Sequence, residues 1–171
     1  LELLSKYTSL ITLITVIFGW IIVNWQNNRR EERKEVRSSL SSIIEEITSI
    51  EDLATTYHSA DSRDRDNEKL INQKITRLSA KIRHLRFESI EVNNLFIELK
   101  KSITLDNFET SKFIQQSPHS EIIDSINLYS EQLQDLLETE FSNNFRGTFL
   151  DRLAASIKRF RSASRPYPRK N

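Results

Sequence analysis

The run Leu10-Ile-Thr-Leu-Ile-Thr-Val-Ile-Phe-Gly-Trp-Ile-Ile-Val23 is apolar apart from two threonines, and no charged residue occurs between Tyr7 and Asn28. As a helix, the stretch from Tyr7 to Trp25 covers about 27 Å at 1.5 Å per residue, close to a hydrocarbon core of about 30 Å. Tyr7 at one end and Trp20 and Trp25 at the other suit the aromatic belts of the two membrane interfaces. A cleaved signal peptide would show a shorter apolar core and a small-residue cleavage site. Here Trp25-Gln-Asn-Asn runs straight into Arg29-Arg30. A buried helix of a soluble protein is the plainer alternative, and the length of the span favours the membrane.

Working outward, cations crowd the C-terminal flank. Arg29, Arg30, Arg33, Lys34 and Arg37 face Lys6 alone on the other side. The acidic neighbours Glu31, Glu32 and Glu35 carry little weight in the positive-inside rule. The expected placement is the inner (cytoplasmic) membrane, with a short N-terminus outside and everything after Arg29 in the cytoplasm. With no methionine at Leu1 or elsewhere, a preceding segment is also expected. Tyr7, Trp20, Trp25, Arg29 and Arg30 are the candidate interface anchors. Thr8, Thr12, Thr15 and Gly19 recur at spacings of 4, 3 and 4, which sets them on one helical face. Such small-residue stripes let backbones approach, so self-association through this face is expected. The competing reading is that each threonine merely bonds its own helix.

Beyond the span the pattern is helical throughout. Val36, Leu40, Ile43, Ile44, Ile47, Ile50, Leu53, Ala54 and Tyr57 keep the 3–4 spacing of an amphipathic helix, able to run on from the span without a break. Residues 59–67 lose that period and read as a charged loop. Ile71, Ile75, Leu78, Ile82 and Leu85 mark a second helix. Val92, Leu95, Phe96, Leu99 and Ile103 mark a third, which can be either separate from the second or continuous with it, since no Gly or Pro divides them. Asp106-Asn-Phe-Glu109 has capping-box spacing and predicts a short helix around Phe108–Ile114. Ser117-Pro118 predicts an N-cap before a proline at the first helical position. The helix after it carries Ile122, Ile123, Ile126, Tyr129, Leu133, Leu136 and Leu137, and a last one Phe149, Leu150, Leu153, Ala154, Ile157 and Phe160. The expected fold is therefore all-α, a single N-terminal transmembrane helix followed by a small cytoplasmic helical bundle. Its parts are a transmembrane helix (1–28), a juxtamembrane amphipathic helix (29–58), a helical bundle (59–160) and a basic disordered tail (161–171).

Composition removes most chemistry. The 171 residues contain no Cys, two Gly and three His. Thiolate nucleophiles, thiolate metal sites and disulfides are thereby excluded, and glycine-rich phosphate loops have no material. His58, His84 and His119 sit in no ligand or triad spacing, and His84 falls near the apolar seam as a packed side chain. Asp61, Asp64, Asp66 and Glu68 lack the glycine and register of a calcium loop, and their arginine neighbours make a solvated loop the better reading. No enzyme activity, cofactor, metal or small-molecule substrate is expected.

Charge is balanced overall at +1 but segregated along the chain. Residues 69–87 hold six cations and no acid, residues 88–140 eleven acids against three cations, and residues 141–171 eight cations and one acid. The anion-binding candidates are Lys74, Arg77, Lys81 and Arg83 in the first basic block, and Arg159, Arg161, Arg165, Arg169 and Lys170 in the tail. Each block is read against a bland alternative, pairing within the bundle for the helix and simple solvation for the tail. The expected partners are the lipid bilayer, a second copy through the span, and a nucleic acid or ribonucleoprotein on the basic segments. Abundant Ile, Asn and Ser with few Ala suggests an AT-rich gene, common in mobile elements and defence islands. The leading expectation is an oligomerising membrane effector of toxin or phage-defence type. A passive anchor or scaffold is the alternative, and a lysis protein with its helical domain outside is disfavoured by the flanking cations.

Overall fold

The computed structural model describes residues 2–85 and 89–145. Among the described residues every regular element is a helix: α1 (Glu2–Ser59), α2 (Arg65–Arg83), α3 (Ile90–Thr104) and α4 (Glu121–Phe145). The chain divides into two compact units, Leu1–Ile43 and Ile44–Asn171.

The first unit is the N-terminal part of α1. It holds the one helix among the described residues that is long and apolar enough to cross a membrane, and none of its most apolar 18-residue window is buried. A core helix of a soluble protein would hide such a face. Here Leu10, Phe18 and Trp20 stand 52 %, 62 % and 68 % exposed.

The second unit is built from the end of α1 with α2, α3 and α4. Ile47, Ile50, Ala54 and Tyr57 of α1 are buried, as are Ile71, Ile75, Leu78 and Ile82 of α2. Val92, Leu99 and Ile103 of α3 and Ile123, Ile126, Leu133 and Leu137 of α4 complete the core. Each set follows the 3–4 period, so each helix buries a single stripe. Leu40 and Ile43, earlier on α1, are buried in the same period.

Helix ends depart from the sequence expectations in three places. The region read as a loop through Asn67 already contains the start of α2. Asp64 caps it, accepting from the backbone N–H of Asp66 at 2.9 Å and Asn67 at 3.1 Å. Helices α2 and α3 are separate, although neither Gly nor Pro divides them. His84 forms the C-cap of α2, and Ser89, in extended backbone, caps α3 by accepting from Val92 N–H. A serine cap opens a helix as well as a proline does, because it satisfies an orphan donor.

The short helix expected at Phe108–Ile114 does not form. Asp106 and Glu109 adopt positive φ values of 58° and 51°, a left-handed backbone that cannot propagate a right-handed helix. The proposed Ser117 cap is displaced as well. Helix α4 opens three residues after Pro118, where Ser120 accepts from Ile123 N–H and its carbonyl takes the Asp124 N–H at 2.9 Å. The Ser117 carbonyl is spent on the Ser120 N–H at 3.0 Å, closing a turn instead. The helix expected over Phe149–Phe160 and the basic tail lie outside the described residues.

Candidate functional site

Three groups of residues stand out among the described residues: the apolar face of α1, a buried polar clamp in the second unit, and a cationic groove on α2.

On α1 the expected packing stripe is exposed. Thr12 Oγ1 donates to the Thr8 carbonyl at 2.8 Å and Thr15 Oγ1 to the Ile11 carbonyl at 2.9 Å. Both hydroxyls are thereby satisfied within the helix, which suits hydrocarbon surroundings, where a lone donor is costly. The threonines then offer methyl groups rather than donors to a neighbouring helix. A Cβ built on Gly19 meets nothing within 4 Å, so the notch in this stripe is open. At the C-terminal end the Arg29 guanidinium lies 4.9 Å from the centre of a Trp25 ring, a cation–π pair that joins two of the candidate anchors. Tyr7 and Trp20 are exposed.

The clamp was not foreseen. Its first half is ionic. Arg63 grips Glu68 with two hydrogen bonds, Nε to Oε1 at 2.6 Å and Nη2 to Oε2 at 2.7 Å, and Tyr57 Oη donates to Oε1 at 2.6 Å. Glu68 is only 4 % exposed. Its carboxyl is nevertheless held below the usual range, first by the Arg63 hydrogen bonds. Tyr57 is raised, by burial and by the Glu68 carboxylate beside it. The Tyr57 ring meets those of His58, Phe108 and Phe113 edge-on, with centroids 5.0–5.3 Å apart.

Its second half ties segment 105–117 to the end of α1. Asn107 brackets Ile114, accepting from its N–H at 2.8 Å and donating to its carbonyl at 2.9 Å. Those bonds define which end of the Asn107 amide faces the fully buried His58, where Nδ2 lies 3.3 Å from His58 Nδ1. The opposite ring nitrogen, Nε2, lies 3.1 Å from the Ile103 carbonyl. A donor at Nδ1 and an acceptor at Nε2 allow one form only, the neutral ring with its proton on Nε2. The last carbonyls of α1 are orphans of the helix end. The Gln116 N–H reaches the His58 carbonyl at 2.8 Å, and Gln115 Nε2 the Ser59 carbonyl at 2.9 Å.

This arrangement predicts an acid-sensitive fold. Burial lowers the His58 pKa below its ordinary value, so the unfolded chain binds this proton more readily than the folded one. The His58 contribution is complete above about pH 6.5 and is lost as pH falls below it. Glu51, raised by burial, acts in the opposite sense, so the comparison must be made against a variant. Urea denaturation at pH 7.5 and pH 5.5 should show lower stability in acid, and His58→Gln should remove most of that difference. Equal pH dependence in the two proteins would contradict the assignment.

The first basic block is split between two jobs. Lys74 and Lys81 both pair with Glu46 of α1, at 3.3 Å and 3.2 Å. Burial works to raise the Glu46 carboxyl, but the hydrogen bonds from Lys81 and Lys74 outweigh it and hold it low. These two candidates are thus structural pairs. Arg77 instead lines an open groove of about 530 Å³ with Arg65 and Lys69, which the sequence reading had not selected. Glu109, one of the left-handed residues, closes the groove by accepting from Asn72 Nδ2 at 2.8 Å. Arg83 is exposed near the end of α2, and His84 is exposed at its cap rather than packed on the seam. Arg159, Arg161, Arg165, Arg169 and Lys170 lie outside the described residues. No group of His, Asp and Glu able to hold a metal occurs among the described residues.

No protein-family model, curated protein or solved structure matches this chain.

Proposed function

We propose that the chain is a single-pass protein of the inner membrane, with its N-terminus outside and its helical domain in the cytoplasm. The domain binds a partner, and association of the span then acts on membrane integrity, as in an effector of toxin or phage-defence type. The observation that carries the reading is the wholly exposed apolar window of α1 followed by five cations within nine residues. An apolar surface of that size in water needs a cover, and the flanking cations orient it. A reporter fused after Asn171 is expected to read as cytoplasmic. An extracytoplasmic readout would remove the orientation and with it the effector model.

Replacing Thr12, Thr15 and Gly19 together by Leu is expected to weaken self-association, since bulky side chains hold backbones apart. Cross-linking in native membranes reads this directly, and an unchanged oligomer ladder would count against the face.

A second reading, a passive anchor that recruits a soluble or nucleic-acid-containing partner, draws support from the internally bonded threonines. They leave the Thr12 and Thr15 hydroxyls already committed within their own helix. Inducible expression with a potential-sensitive dye separates the two. Effector action predicts depolarisation and growth arrest, and an anchor leaves both unchanged.

A further inference from the structure

We propose that the groove formed by α2 and the Glu109 turn binds the phosphodiester backbone of a nucleic acid. The proposal rests on the reading that this domain holds a partner, and it names the partner's class and the surface. On α2 the cations fall into two sets. Lys74 and Lys81 face Glu46 and share its one carboxylate. Arg65, Lys69 and Arg77 line the groove and make no ion pair among the described residues. Of the acids in the groove, Glu68 is paired with Arg63, while Glu109 accepts from the neutral Asn72 amide and keeps its charge, which leaves three cations against one unpaired acid.

Three observations select the partner. From Arg65 to Arg77 the cations extend about 18 Å along the helix at 1.5 Å per residue. That is about five phosphates of one strand at 3.4 Å of axis each, and too long for one compact phosphorylated molecule. The groove has no aromatic or aliphatic side chain in its lining. Protein interfaces rely on such anchors, and so does base stacking on single strands, so the contacts are to the backbone and independent of sequence. The surface is also open along α2, so a strand can lie on it lengthwise. Gln73 adds a neutral side-chain amide between the cations.

The test uses the full chain in neutral detergent, with fluorescence anisotropy of a labelled 20-base-pair duplex and a 20-nucleotide strand. Wild type is expected to bind at micromolar concentration. Three phosphate contacts predict a loss of about 20- to 40-fold between about 50 and 200 mM salt. The combined variant Arg65→Gln, Lys69→Gln, Arg77→Gln should bind at least tenfold more weakly and lose most of the salt dependence. Lys100→Gln, a cation outside the groove, should leave binding unchanged. If the combined variant loses helical content by circular dichroism, each single substitution is read instead, with a loss of about threefold expected for each. Absence of binding by wild type overturns the proposal. So does retention of affinity and salt slope by the groove variants, which would assign binding to other cations. Capture by anionic vesicles with indifference to nucleic acid also overturns it, in favour of a lipid surface. None of these readouts depends on membrane orientation, so their failure is distinct from failure of the topology reporter.

Discussion

Replacing Ile14 and Ile17 by Asp is expected to drive the protein out of the membrane fraction. Both side chains are exposed, at 46 % and 47 %, in a helix that offers them no protein neighbour to hide against. A central Asp costs about 2.5–3.5 kcal/mol on insertion, so the pair costs about 5–7 kcal/mol, and each also removes a favourable Ile. A single apolar span has no spare margin of that size. Ser38→Asp, beyond the span, should leave the distribution unchanged. Alkaline carbonate extraction followed by immunoblotting decides it. Wild type found in the soluble fraction would dispose of the membrane assignment, and a double variant still integral would show that this apolar run is not what holds the protein there.

Glu68→Ala is expected to be the most damaging single polar substitution in the helical domain, lowering its stability by about 2 kcal/mol, the cost of a buried hydroxyl left without its partner. That hydroxyl is Tyr57 Oη, which would lose its acceptor. The Arg63 end of the pair is open to water and carries little of this cost. Denaturant titration of the full chain in detergent at pH 7 measures the loss, and a change below 1 kcal/mol would show that the clamp is incidental. The sign with pH is set by the lowered Glu68 carboxyl. Its stabilisation is complete above the ordinary carboxylate range and disappears as pH falls through that range and below. It therefore acts in more acidic solution than the His58 effect, and the two separate on a pH series.

Much of the architecture was legible from spacing. The apolar run Leu10–Val23 and the 3–4 seams of Leu40–Tyr57, Ile71–Leu85, Val92–Ile103 and Ile122–Leu137 are local patterns, and a helix is a local structure. Where the reading failed, two local signals competed. Asp106-Asn-Phe-Glu109 has the spacing of a capping box, yet its outer residues take left-handed backbone. The Asn107 side chain finds better partners in the Ile114 backbone. Ser117-Pro118 resembles a helix start, but Ser120 occupies that role. Whether α2 and α3 are continuous was open in the sequence, and the Ser89 cap separates them without a Gly or Pro.

By itself the sequence determined the all-helical class, one helix long and apolar enough to cross a membrane, and the exclusion of cysteine chemistry. These follow from composition and from periods of a few residues. Tertiary structure alone decided which polar residues matter. His58 and Asn107 are 49 positions apart, and Asn72 and Glu109 are 37 apart. Nothing in their local spacing announces either pair. It also divided one basic block in two, because Glu46 lies within reach of Lys74 and Lys81 but makes no bond to Lys69 or Arg77. A charge run reports only how many cations a helix carries. Which of them stay available to a partner depends on where the acids of other helices come to rest.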